Sequence, residues 1–184
     1  MLSTSPLSID FWHKSADNGP GGVALDDRID REEIPRGTFP AKIGPNGRLK
    51  LPAEVYRYLI RVSNEGSKLF VTTTDMQSIR IYTVEAWRRN QELLSSFRED
   101  PQAAQNLLFV ANLFGRDSDL DDQGRVVIHA ELRRRLGFEN EDVRLQCHKG
   151  RVSLYSEKLI EELLAQAIPN LPAASAKLEQ AGLL

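Results

Sequence analysis

Very little in this sequence is arranged for catalysis or metal binding. The three histidines, His13, His129 and His148, are dispersed, and none belongs to an HExxH run or a CxxC pair. Cys147 is the single cysteine, which excludes an intrachain disulfide and a thiolate zinc cluster. Its place in an apolar alternation assigns it to a core. Asp119, Asp121 and Asp122 lack the ordered spacing and terminal Glu of an EF-hand loop and read as a solvated turn. With no GxSxG elbow, Walker loop or dinucleotide fingerprint, no enzyme activity, metal or cofactor is expected.

Two Gly-Arg steps suggest chemistry of another kind. Gly47-Arg48 lies within FPAKIGPNGRLKLPAEVYRYL, and Gly124-Arg125 within SDLDDQGRVVIHAELRRRLGF. Superposing Arg48 on Arg125 sets Leu49 over Val126, Leu51 over Ile128, Ala53 over Ala130, Glu54 over Glu131 and Leu59 over Leu136. The chain therefore contains an internal repeat. Each glycine serves a turn and delivers its arginine to the start of the next strand. A guanidinium can grip phosphate through two donors or read the O6/N7 edge of guanine, so two rigidly placed arginines suit a nucleic-acid surface.

Neighbouring cations extend that surface. Lys50 shares the face of Arg48 by strand alternation, and Lys42 approaches across the turn, both as phosphate contacts. Solubilising exposed strands is the competing role for all these charges. Arg133, Arg134 and Arg135 form the densest basic run; only part of it can point outward, towards phosphate or a neighbouring subunit. Arg57 and Arg61 stand around Tyr56 and Tyr58, with Arg57 suited to DNA or another subunit and the tyrosines to packing.

The elements positioning these residues are α+β in class. Residues 36–83 form the first half: a strand at 38–43, a turn at 44–47, a strand at 48–51, a helix at 52–60, and a hairpin whose inward face is Leu69, Val71, Ile79 and Ile81. Residues 113–155 repeat the plan, with a helix at 130–136 capped by Gly137 and a hairpin face of Val143, Leu145, Cys147, Val152 and Leu154. Thr83 and Ser156 follow Tyr82 and Tyr155 and are placed to cap helices. Residues 84–112 form a helical bridge broken near Asp100-Pro101. Residues 156–184 form a C-terminal helix to about Ala167, disturbed by Pro169 and Pro172, and a tail whose AKLEQAGLL end reads as a terminal helix or a frayed end. Neither half covers its own sheet, so the two are expected to fold together, and cutting the bridge should destroy both.

At 184 residues the chain can bury a core without cross-links. Its net charge of -2 hides an uneven distribution: residues 1–35 carry -4, leaving +2 on residues 36–184. The opening is broken by Pro6 and by NGPGG at 18–22, and reads as an acidic, mobile arm. No leader pattern and no apolar run of membrane-spanning length is read, and the lone cysteine suits a reducing cytosol.

RGTFPAKIGPNGRLKLPAEVYRYL at 36–59, RIYTVEAW at 80–87 and DDQGRVVIHAELRRRLGF at 121–138 resemble the MraZ family of the AbrB-like swapped-hairpin superfamily. The resemblance covers 36 to about 167. It implies a duplicated swapped-hairpin β-barrel and a bacterial, nucleoid-associated transcriptional regulator. The expected partner is double-stranded DNA bearing repeated promoter boxes upstream of a division and cell-wall gene cluster. It further implies homo-oligomeric rings, whose multiplicity strengthens weak single contacts. An AbrB-like antitoxin with a toxin partner, or a structural oligomerisation protein, is the alternative. The family's DxxxR pattern carries DNA recognition onto Asp121 and Arg125. In the first half Arg48 is retained, but Gly44 stands where the aspartate is expected, which removes a charge-assisted bond from that arginine.

Overall fold

Strand alternation and repeat symmetry together build the molecule. The computed structural model describes residues 33–63 and 66–183, so most of the acidic 1–35 segment lies outside the described residues. In chain order the first half contributes β1 (Phe39–Lys42), β2 (Arg48–Lys50), α1 (Ala53–Val62), β3 (Lys68–Thr72) and β4 (Ile79–Thr83). The bridge is α2 (Val84–Ser96) and α3 (Pro101–Leu113). The second half adds β5 (Arg116–Asp119), β6 (Arg125–Val127), α4 (Ala130–Leu136), β7 (Asp142–His148) and β8 (Arg151–Ser156), followed by α5 (Glu157–Ala167) and α6 (Leu171–Gln180).

The halves exchange strands. β1 pairs with β7 of the other half, Phe39 opposite Leu145, while β5 pairs with β3, Leu69 opposite Ser118. The two hairpins meet where β4 pairs with β8, Ile81 opposite Val152. These antiparallel pairings give a six-stranded sheet in the order β1-β7-β8-β4-β3-β5. β2 and β6 form a separate two-stranded ribbon, reached by tight turns from the two edge strands. The α+β class holds. No closed barrel forms among the described residues, because the ladders end at β1 and β5 and the ribbon spans between those edges instead.

One core serves both halves. Ile43, Leu49, Val55, Leu59, Leu69, Ile81, Val126, Ile128, Leu132, Leu145 and Leu154 are buried in a single cluster. Each such aliphatic side chain contributes about 1.5–3 kcal/mol, so neither half keeps its share if the other is removed. Tyr58 is buried with them, and its hydroxyl accepts the Gly150 N–H at 2.8 Å, tying α1 to the turn between β7 and β8.

The bridge docks through aromatic stacking. Trp87 stacks on Phe70 with ring centroids 4.6 Å apart and meets Tyr82 at 5.3 Å. The Thr72 hydroxyl donates to the Ala111 carbonyl at 2.6 Å, holding α3 against the sheet. Thr83 and Ser156 cap as read, Thr83 Oγ1 accepting the Ala86 N–H and Ser156 Oγ the Leu159 N–H; Asp100, read only as a break, also caps α3 by accepting the Ala103 N–H on Oδ1.

The first two strands are trimmed to Phe39–Lys42 and Arg48–Lys50, and larger differences from expectation lie in the helices. α1 begins at Ala53, with Pro52 just outside it, and continues to Val62 because Val62 adds a further buried residue to its inner face. After α5 the chain does not pass into a tail. It runs through a short 3₁₀ turn at Ile168–Asn170 and resumes as α6, where Pro172 falls in the first turn and costs no helical hydrogen bond.

Candidate nucleic-acid interface

The ribbon brings the two predicted arginines onto one strip of surface. Leu49 lies opposite Val126, and both are fully buried, so they anchor the ribbon and leave its other face outward. That outer face carries Arg48 opposite Val127 and Lys50 opposite Arg125. A pseudo-twofold axis through the Leu49–Val126 pair exchanges Arg48 with Arg125 and Lys50 with Val127.

Backbone bonding makes these outward pairs intimate. The Arg125 N–H donates to Asp121 Oδ1 at 2.8 Å and its carbonyl accepts the Asp121 N–H at 3.0 Å. The Val127 N–H donates to Ser118 Oγ at 3.2 Å, and the Ser118 hydroxyl donates to the Val127 carbonyl at 3.1 Å. Both residues therefore turn their backbone polar groups away from β2. Arg48/Val127 and Lys50/Arg125 are the non-hydrogen-bonded pairs, in which opposing side chains stand closest.

The turns feeding the ribbon share a backbone and differ in side chains. The Gly44 N–H donates to the Arg48 carbonyl at 2.8 Å, as Asp121 does to Arg125. Gly47 and Gly124 both adopt positive φ, 76° and 71°, which an L side chain tolerates poorly. Across the ribbon, the Ile128 N–H reaches the Gly47 carbonyl and the Leu51 N–H the Gly124 carbonyl, each at 2.8 Å. In the second turn the carboxylate of Asp121 also takes Arg125 Nε–H at 2.7 Å and the Gln123 N–H at 3.0 Å. The bonds from Arg125 hold the Asp121 carboxyl below its usual range. In the first turn Gly44 offers no side-chain acceptor, and Arg48 has no ion pair among the described residues.

Behind each turn stands a residue from the opposite half. Tyr56 on α1 packs its ring against Gly124, where Lys50 Nζ also approaches. At the same repeat position on α4, Arg133 packs its guanidinium against Gly47. Arg133 donates Nη1–H to the Ile128 carbonyl and Nε–H to Glu139 at 3.3 Å, and its side chain is 8% exposed. The basic run is thus divided: Arg133 is a buried strut, and Arg134 and Arg135 are exposed.

The remaining candidates are placed as follows. Lys42 ends β1, opposite Asp142, with its ammonium 3.8 Å from that carboxylate and most of its side chain in solvent. Arg57 is exposed beside Glu54 at 3.9 Å. Asp121 is committed to Arg125, and among the described residues no group of three His, Cys, Asp or Glu could hold a metal ion. His129 is half-buried at the entrance to α4, where burial first and the Arg116 charge second lower its pKa. Cys147 is buried, and desolvation pushes its thiol up to about 12. Two features are easily overlooked in sequence, Val127 on the outer face and Arg133 beneath the first turn; their alignment with Lys50 and Tyr56 is the only signal for either.

No protein-family model matches the chain. It is similar to proteins named transcriptional regulator MraZ: 35% identical over 98 residues to that of Koribacter versatilis, covering 53% of this chain and 66% of the relative. Identity is 32% over 109 residues to the Methylobacillus flagellatus protein, covering 58% and 70% of the two chains. With the Corynebacterium urealyticum protein it is 34% over 110 residues, covering 58% and 71%. No described helix is long and apolar enough to cross a membrane. The shared sequence, together with the duplicated Gly-Arg turns, establishes that the chain belongs to the MraZ family.

Proposed function

We propose that this protein is a DNA-binding transcriptional regulator that lays the β2·β6 ribbon into the major groove. The observation carrying the reading is the outer ribbon face, where Arg48, Lys50 and Arg125 stand side by side on two rigidly paired strands. A two-stranded ribbon has the width the major groove admits. The relatives' name as transcriptional regulators supports the same reading. Arg125 and Arg48 act as base readers, Asp121 orients Arg125, and Lys50 and Lys42 meet phosphates. No catalysis or cofactor is involved.

The finer parts of the proposal follow the family. The reciprocal exchange of β1 and β5 between halves fits the swapped-hairpin topology. Several copies assembled in a ring would engage repeated promoter boxes upstream of a division and cell-wall gene cluster. Avidity would then supply strength that a body of net charge +2 lacks in bulk attraction. Protection of regularly spaced boxes in a footprint of that promoter region is the expected result, lost in Arg125→Ala at matched ionic strength. Unchanged binding by Arg125→Ala would remove the site assignment.

One observation favours a second reading. Leu93, Phe109 and Leu113 are exposed on the bridge helices and Phe97 just after the first of them, as an oligomerisation surface requires. A stable oligomer that gives no sequence-specific protection would identify a structural oligomerisation protein instead.

A further inference from the structure

We propose that Val127 is a specificity-determining residue that reads the 5-methyl group of thymine and gives the ribbon one orientation on its DNA box. The inference rests on the DNA-binding reading above and adds a base preference that the arginines do not supply.

Val127 is 47% exposed on a face whose other outward members are all cationic. A lone exposed valine is ordinary on a protein surface. Register is what sets this one apart. Its neighbours Val126 and Ile128 are fully buried and supply the core, so packing does not call for an apolar group at 127. The Ser118 hydroxyl bonds both its N–H and its carbonyl, which pins the residue in place. β-branching then leaves its methyl groups few rotamers. It is the close, non-hydrogen-bonded partner of Arg48.

In the major groove thymine is the base that presents a methyl group, and an aliphatic side chain is its complement. Arg48 beside it is free to take a guanine edge or a phosphate. The pseudo-twofold places Lys50 where Val127 stands in the other half, and Gly44 where Asp121 stands. The Arg48/Val127 end therefore sets one unlatched cation beside an apolar group, while the Lys50/Arg125 end carries two cations, one of them latched. Equal elements of a symmetric site would meet different chemistry at the two ends, so the preferred box is asymmetric.

The test starts from duplexes enriched by the full-length protein from a random library. Each thymine of the enriched box is replaced in turn by deoxyuridine, which removes only the methyl group and keeps base pairing. The wild-type protein should lose affinity on the order of three- to fivefold at one thymine, the scale of one buried methyl. Val127→Ala should bind the thymine and deoxyuridine duplexes equally. A wild-type protein indifferent to every replacement, or a penalty that persists in Val127→Ala, overturns the role of Val127 while leaving DNA binding standing. If no duplex is enriched, the DNA-binding reading falls and Val127 falls with it. The deoxyuridine arm uses the unaltered protein, so indifference there overturns the proposal whatever the variant does, and Val127→Ala, at an exposed position, leaves the core intact for the attribution.

Discussion

Arg133 of the second half lies directly behind Gly47 in the first, filling the space that any side chain at 47 would enter. A Cβ on Gly47 would meet both the Arg133 guanidinium and the Ile128 carbonyl, whereas a Cβ on Gly124 would come to 3.2 Å from the edge of the Tyr56 ring. The turns look equivalent in sequence and are braced by different chemistry, a buried cation in one case and an aromatic face in the other.

Replacement by alanine should expose that difference. Gly124→Ala carries mainly the strain of a left-handed L residue, about 1–2 kcal/mol, because the Tyr56 ring can shift by a few tenths of an ångström. Gly47→Ala adds a clash with the Ile128 backbone carbonyl and the displacement of Arg133 from that acceptor, for a total of at least about 2–4 kcal/mol. Urea unfolding of the two variants checks the order. Equal losses would mean that neither Arg133 nor the Ile128 carbonyl confines the first turn.

The missing aspartate of the first turn can be restored. Gly44 has φ -82° and ψ -174°, open to any residue, and a Cβ there has only the Arg48 carbonyl nearby, at 3.5 Å. Gly44→Asp should fold normally and bond Arg48 Nε–H as Asp121 bonds Arg125. The readout is the ¹⁵N-resolved arginine Nε–H signal. Of the two turn arginines, Arg125 alone is expected to exchange slowly in the wild type, and both in the variant. Asp121→Ala should abolish the Arg125 signal and weaken specific DNA binding several-fold. Because bonding from Arg125 depresses the Asp121 pKa, the latch is complete above the ordinary aspartate range and opens only as pH falls through that lowered value.

The repeat makes much of this arrangement readable before any coordinates. Matching Gly47-Arg48 to Gly124-Arg125 locates both turns, both short helices and the arginine face, because glycine and alternation act locally. The partner of β1 is not readable in that way. Alternation assigns Phe39 and Ala41 to a face, but cannot say that the strand lies on β7 of the other half instead of its own hairpin. The run at 133–135 likewise hides which arginine is inward, since three adjacent cations have no periodicity. Pro169 and Pro172 read as breakers, yet a proline in a first turn costs a helix nothing, which is why α6 already starts at Leu171, ahead of the AKLEQAGLL end.

Cys147 should be chemically silent in the folded protein. Its thiol is buried and pushed up to about 12, so almost no thiolate exists at neutral pH. A disulfide-exchange reagent such as DTNB should react slowly with the native protein and promptly and stoichiometrically in denaturant. Rapid labelling of the native state would show that the strand carrying Cys147 opens readily.

Acid should weaken the fold through histidine before it reaches the carboxylates. Burial is the leading cause lowering the pKa of both His129 and His148, with Arg116 adding to it at the first and Arg151 at the second. The unfolded chain therefore binds more protons than the native one in the interval below the ordinary histidine value. There stability increases with pH, and the full contribution is present above about 6.5. Unfolding free energy should fall as pH drops from about 6.5 towards 5, and the slope should flatten in His129→Gln combined with His148→Gln. Arg116 and Arg133 raise the cost of a charge at His129, while Glu131 relieves part of it. Glu131→Gln should therefore steepen the slope in protein that retains His129. A slope between about 6.5 and 5 that is unchanged by removing both histidines would overturn this assignment, because carboxylates with lowered pKa, such as Asp121, exchange protons only below the ordinary aspartate value.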